Sequence, residues 1–123
     1  MGLRAIESVS CNASNRLTSR FIALLESQFP VNSIAHVLQF KTANDFASQL
    51  SVHVNHLNYA VKEVSGKTTS ELIACRISHE AIVLLRNTDW NVAQIAYCLG
   101  FGHPANFTLF FKKQTNCTPK AFR

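Results

Sequence analysis

Residues Asn91–Arg123 read NVAQIAYCLGFGHPANFTLFFKKQTNCTPKAFR, two helical patterns separated by a glycine-containing turn. Val92, Ile95, Ala96 and Leu99 recur at helical spacing and give the first pattern one apolar face. Asn91 followed by Gln94 is a capping-box pair, in which each side chain satisfies a backbone amide at the helix start. Gly100 stands where this helix must stop, in a left-handed conformation that glycine adopts without strain. The second pattern spans about His103 to Thr115 and turns Phe107, Phe110 and Phe111 inward. Two short helices across a tight turn make a helix-turn-helix, whose second member commonly enters the DNA major groove.

Composition sets the frame around that motif. At 123 residues the chain has room for one domain, or for two very small ones sharing a helix. Apolar residues make up 47% and charged residues 15%, the balance of a folded rather than a disordered chain. The net charge of +5 is unevenly placed. From Trp90 onward there are four basic side chains (Lys112, Lys113, Lys120, Arg123) and no Asp or Glu. A basic element without acidic neighbours favours a polyanion such as DNA; the alternative is a merely solvated basic face. Cys11, Cys75, Cys98 and Cys117 form no CxxC pair and no disulfide-like cluster. Cys75 and Cys98 fall among helical apolar residues and read as reduced core residues of a cytoplasmic protein. Neither a signal peptide nor a membrane-length apolar run is visible. Met1-Gly2 reads as a starting methionine on an excised domain.

Upstream, residues 1–14 are rich in Ser and Asn and read as a linker or disordered lead-in. A helix is expected from about Arg16 to Phe29, with Leu17, Phe21, Leu24, Leu25 and Gln28-Phe29 on one buried stripe, stopped by Pro30. Residues 31–41 are ambiguous, with a short helix around Ser33–Leu38 as one reading. Thr42 with Asp45 caps the next helix, which carries Phe46, Ala47 and Leu50 inward. A helix from about Val54 to Val64 buries Leu57, Ala60, Val61 and Val64, and Gly66 ends it. Thr68 and Glu71 then cap the longest helix, about Thr69 to Arg86.

The two halves repeat each other. Phe46-Ala47-x-x-Leu50 matches Ile95-Ala96-x-x-Leu99 at an offset of 49. Beyond the turn the offset becomes 50, pairing Leu57 with Phe107, Val61 with Phe111, Gly66 with Asn116 and Thr68 with Thr118. The expected fold is therefore all-α, with two helix-turn-helix subdomains (about 42–66 and 91–115) joined by a long linker helix (about 69–86), about seven helices within residues 15–123. Recognition helices held by such a linker could reach successive major grooves, ~34 Å apart.

The run I-A-x-x-L-G-F-x-x-x-x-x-F-x-x-x-F-K-K followed by T-P-x-x-F-R resembles the signature of AraC/XylS-type transcription regulators. The half from Thr42 to Arg86 looks like the same family's first unit and linker helix, so the resemblance covers about residues 16–123. It implies a DNA-binding domain usually placed C-terminal to a sensing and dimerising domain in a longer regulator, and such a domain is absent from these residues. Double-stranded DNA is the implied partner, with RNA polymerase a second.

Carried over position by position, the resemblance puts base-reading side chains on the exposed faces of the two second helices. In the first unit these are Asn55, Asn58 and Tyr59, with His53 and His56 alongside. An Asn amide can pair bidentately with adenine. In the second unit they are Pro104, Ala105 and Leu109, where the family often shows polar or arginine side chains. His103, Asn106 and Thr108 are the polar candidates nearby, while Lys62, Lys112 and Lys113 are placed for phosphates. Base readout is thus expected mainly from the first unit.

Other chemistries fit less well. His53-x-x-His56 and Cys75-x-x-x-His79 each put two possible ligands on one helix face, but neither has a strong zinc spacing, and no metal is expected. No nucleophile–base–acid set, phosphate-binding glycine loop or carboxylate pair is visible, so neither an enzyme nor a cofactor is expected. The rival to DNA reading is a degenerate module that works through protein–protein contact with RNA polymerase or a partner regulator. Leu109 and Ala105 favour it; the lysines and caps oppose it.

Overall fold

The computed structural model describes the backbone of residues 2–123 and the side chains of residues 13–123. It contains α1 (Gly2–Glu26), α2 (Ala43–Gln49), α3 (Val54–Ser65), α4 (Thr69–Asn87), α5 (Val92–Cys98), α6 (Pro104–Thr115) and α7 (Pro119–Phe122). No strand occurs among the described residues, and the all-α class is as expected. Contacts divide the chain into two units. The first holds Met1–Ser27 and Thr42–Ile73, the second Gln28–Lys41 and Ala74–Arg123, so α4 contributes to both.

In the first unit, α1 packs against α2 and α3. Leu17, Phe21 and Leu25 lie four residues apart and are all buried, which is the single apolar stripe that makes α1 a core helix. Phe21 meets Phe46 of α2 edge-to-face, with ring centroids 5.1 Å apart. Leu57, Ala60 and Val61 of α3 close the core. Val64, expected inward, occupies the last turn of α3 and is exposed.

Two boundaries of α1 differ from expectation. The helix is continuous from Gly2, so residues 2–14 belong to it rather than to a lead-in; Met1 and the side chain of Cys11 lie outside what is described. At its other end α1 stops at Glu26 instead of Phe29. Gln28 and Phe29 are recruited by the second unit, which overrides their helical spacing. The Gln28 carboxamide closes the segment 28–41 on itself: its Oε1 accepts from the amides of Gln39 and Phe40 (both 2.9 Å), and its Nε2 donates to the Phe40 carbonyl (2.9 Å).

That closed segment forms no helix at Ser33–Leu38. Its backbone groups have partners elsewhere in the second unit. The Val31 amide donates to Oε2 of Glu80 (2.7 Å), and the Leu38 amide donates to the Cys98 carbonyl (2.9 Å). Val31 and Leu38 are buried. Glu80, itself buried, also receives Arg76 at 3.3 Å, and the Arg76 guanidinium lies 4.0 Å from the Phe29 ring centroid. Cys98 is fully buried here, and burial pushes its thiol pKa up. Cys75, expected in the core with it, is exposed on α4.

The rest of the second unit is an aromatic stack. Phe107 and Phe111 of α6 are fully buried, and Phe111 meets Phe122 of α7 at 5.4 Å. Arg123 then ties down the connection between α4 and α5. Its Nε donates to the Leu85 carbonyl (3.0 Å), its Nη2 to that of Thr88 (2.7 Å) and its Nη1 to that of Trp90. Carbonyls at the end of α4 lack helical partners, and a guanidinium supplies three donors at once.

Two outcomes test these contacts. Glu80→Ala strands the Val31 amide and removes the carboxylate that Arg76 bonds, and urea unfolding should show a loss of about 2–4 kcal/mol, with Glu80→Gln milder because an amide oxygen still accepts from Val31. At the start of α4 the Glu71 amide donates to Thr68 Oγ1 (3.0 Å) while the Glu71 carboxylate accepts from the Thr68 amide (3.3 Å). The Thr68 amide and hydroxyl hold the Glu71 pKa below the ordinary carboxylate range. A depressed folded-state pKa stabilises above the unfolded pKa and stops doing so as pH falls through the folded one. Glu71→Gln should therefore lower Tm at neutral pH, and the difference should close on acidification through and below the ordinary carboxylate range.

Candidate nucleic-acid interface

Each unit delivers its second helix through the same local chemistry. In the first, the Thr42 hydroxyl accepts from the Asp45 amide and the Asp45 carboxylate from the Thr42 amide (both 3.1 Å), starting α2. In the second, Asn91 and Gln94 form the matching box at 2.8 and 2.9 Å, starting α5. The chain then turns through one residue of positive φ, Ser51 (59°) in the first unit and Gly100 (86°) in the second. The Val52 amide returns to the Ala47 carbonyl (3.0 Å), and the Phe101 amide returns to the Ala96 carbonyl (2.9 Å).

The exits correspond too. α3 ends on Gly66 (φ 76°) and α6 on Asn116 (φ 63°), both left-handed. Ser65 Oγ donates to the Val61 carbonyl (2.7 Å) and accepts from the Lys67 amide (3.1 Å); Thr115 Oγ1 repeats both bonds with Phe111 (2.9 Å) and Cys117 (3.3 Å). The hydroxyl pair Ser65 and Thr115 escaped the sequence reading, although its offset of 50 was visible.

On α3, Asn55, His56, Asn58, Tyr59 and Lys62 are all exposed. His53 is the N-cap, and its Nδ1 accepts from the Asn55 amide (3.1 Å), which fixes the ring at the start of the helix. Tyr59 is 70% exposed; its hydroxyl donates to the Glu63 carboxylate, and that bond together with the carboxylate's charge raises the phenol pKa. Lys62 folds back onto its own helix end, donating to the Gly66 carbonyl at 3.0 Å. On α6, His103 is an N-cap without a side-chain cap bond, and Pro104 follows it at the first helical position. His103, Ala105, Asn106, Leu109, Lys112 and Lys113 are exposed, while Pro104 and Thr108 are half-buried. Leu109 is 68% exposed, a large apolar side chain in the middle of the presented face. All four basic side chains from Lys112 to Arg123 belong to this unit, and none of them carries an ion pair among the described contacts, Arg123 being bonded to backbone carbonyls.

Two contacts at the turns were not anticipated. Lys41 Nζ donates to the Gly100 carbonyl (2.6 Å) and sits 4.3 Å from the Phe101 ring centroid. In the first unit Arg20 donates to the Leu50 carbonyl (3.4 Å). No group of three or more potential metal ligands occurs among the described residues, and no helix there is long and apolar enough to cross a membrane.

The helix-turn-helix domain family model matches residues 46–123. The chain belongs to the AraC-type helix-turn-helix family. Its relatives are transcription regulators rather than enzymes. The probable transcription factor PqrA of Proteus vulgaris is 38% identical over 68 residues, 55% of this chain and 56% of PqrA. The HTH-type transcriptional activator RhaS of Salmonella arizonae is 31% identical over 77 residues, 63% of this chain and 28% of RhaS. Among solved structures, an AraC-type regulator from Chromobacterium violaceum superposes with a TM-score of 0.69 at 20% identity, covering 91% of this chain and 93% of that one. The DNA-binding domain of the global transcriptional factor AdpA, solved in complex with a target DNA, gives 0.68 at 19% identity, covering 85% of this chain and 87% of its own. The AraC-type domain thus contains the two helix-turn-helix units that the repeat implied.

The two left-handed glycines of this domain should respond differently to substitution. A Cβ at Gly66 meets nothing within 4 Å, whereas one at Gly100 would collide with Cδ of Lys41. By thermal or urea unfolding, Gly66→Ala should cost about 1 kcal/mol from backbone strain alone. Gly100→Ala should cost about 2–3 kcal/mol, because steric conflict adds to that strain.

Proposed function

We propose that this AraC-type domain reads double-stranded DNA by laying α3 and α6 in successive major grooves, with α3 as the reader and α6 chiefly as the clamp. The observation that carries the reading is the duplicated set of entry and exit hydrogen bonds, which present one face of each second helix to solvent. The AdpA domain, of the same fold, was solved with a target DNA.

Roles follow from the side chains on each face. Asn55 and Asn58 offer amides for adenine edges, with His53, His56 and Tyr59 beside them. On α6, His103, Asn106 and Thr108 are the groups able to hydrogen-bond, and Pro104, Ala105 and Leu109 are limited to apolar contact with thymine methyls. Lys112 and Lys113 contact phosphates, which position a protein without specifying sequence. Lys62 is held at its own helix end through one donor to the Gly66 carbonyl, and its ammonium keeps two further donors for a phosphate. In a full regulator, acting in the bacterial cytoplasm, a sensing and dimerising domain precedes this one. RNA polymerase is the proposed protein partner. The exposed Leu109 favours a second reading, in which α6 meets that polymerase or a partner regulator and not DNA.

Fluorescence anisotropy on a randomised duplex library across a salt series separates the two. DNA binding predicts log affinity falling linearly with log salt, with a slope set by the phosphates neutralised. Absence of binding at low salt favours the protein-contact reading. Asn58→Ala should relax sequence preference at the positions α3 reads, at about 1–3 kcal/mol per lost bidentate contact, whereas Lys112→Ala should weaken all sequences alike and flatten the salt slope by about one. An unchanged selected motif in Asn58→Ala would move base readout off α3.

A further inference from the structure

We propose that Lys41 is a positioning residue for α6, locking the turn of the second helix-turn-helix from outside the motif. The proposal rests on the reading that α6 docks on DNA. Lys41 lies before the stretch matched by the family model, which begins at residue 46. It closes the segment 28–41, which is anchored within its unit through Gln28, Val31 and Leu38. Its ammonium meets the Gly100 carbonyl at 2.6 Å, and its aliphatic stem lies against the Cα of Gly100.

Three physical effects converge there. The carbonyls at the end of α5 carry the negative end of the helix dipole, and a cation is favoured beside them. The bond to the Gly100 carbonyl is charge-assisted and so stronger than a neutral one. The same ammonium stands 4.3 Å from the centroid of Phe101, in cation–π range. Phe101 in turn packs on Phe107 at 5.5 Å and on Phe110 at 5.1 Å, both on α6. Lys41 therefore acts on α6 through one ring and one peptide, without reaching the presented face itself. The backbone bonds from Gly100 and Phe101 close the turn but leave the Gly100 carbonyl to be held by a side chain. The first unit has a comparable device, Arg20 on the Leu50 carbonyl, one residue earlier in its turn.

Lys41→Met keeps an unbranched stem over Gly100 but removes the ammonium, and with it the bond to the Gly100 carbonyl and the cation over Phe101; Lys41→Arg restores a cation and donors. Hydrogen exchange on the free protein should show amides of residues 101–107 exchanging several-fold faster in Lys41→Met, with Lys41→Arg close to wild type. On DNA, Lys41→Met should bind about tenfold more weakly, the order expected for one lost charge-assisted bond. Its lost preference should fall in the half of the site assigned to α6, with the salt slope unchanged. A slope lower by about one would instead make Lys41 a direct phosphate contact and overturn the proposal. Wild-type exchange rates in Lys41→Met would overturn it as well, whatever the DNA result. A wild-type chain that binds no DNA, with exchange still sensitive to Lys41, would fail the DNA reading and remove the role assigned to Lys41 with it.

Discussion

Helix ends are the constraint on which this structure depends. Apart from α1 and α4, its helices run from four to twelve residues, so a large share of the backbone lies in terminal turns whose amides and carbonyls have no helical partner. Each such group must find a side chain or water, because leaving it buried and unpaired costs about 1–3 kcal/mol. Short isolated helices are marginal in water, and those that persist do so through packing and caps. Thr42, Asn91, Thr68 and Thr118 answer this at the helix starts, and Ser65, Thr115, Arg20, Lys41 and Arg123 answer it at helix ends and turns.

The caps also explain why the two units look alike while their surfaces differ. Entry box, turn and left-handed exit recur at offsets of 49 and 50 because each solves a backbone problem independent of what the helix binds. Apart from His53 and Lys62, which bond the backbone at the two ends of α3, side chains on the outer faces carry no such duty and differ between the units. α3 offers two carboxamides and a tyrosine, whereas α6 offers an exposed leucine with lysines near its end. A repeated scaffold with unlike faces is consistent with the proposed division into reader and clamp.

Segment 28–41 has a different logic. It has no regular structure, yet it supplies Val31 and Leu38 to a core, an amide to Glu80 and an ammonium to Gly100. The buried Glu80 would be costly alone; it is compensated by Arg76 and by the Val31 amide. This loop does the work that regular elements do elsewhere in the chain.

Periodicity and local caps were legible in the residues alone because they act over three or four positions. The spacing of Ile95, Ala96 and Leu99, the boxes at Thr42 and Asn91, the left-handed exits at Gly66 and Asn116 and the all-α class all belong to that range. So did the outward position of Asn55, Asn58 and Leu109, which follows from Leu57, Phe107 and Phe111 facing in. Long-range partners were not legible. Gln28 reads as a helical residue until its amide is seen on Phe40, Cys75 reads as core until α4 turns it outward, and nothing near Lys41 points to a carbonyl 59 positions away. Local propensity is weak enough for one tertiary hydrogen bond or buried contact to override it, so helix limits, loop conformation and the bracing of the turns were decided only when the chain folded.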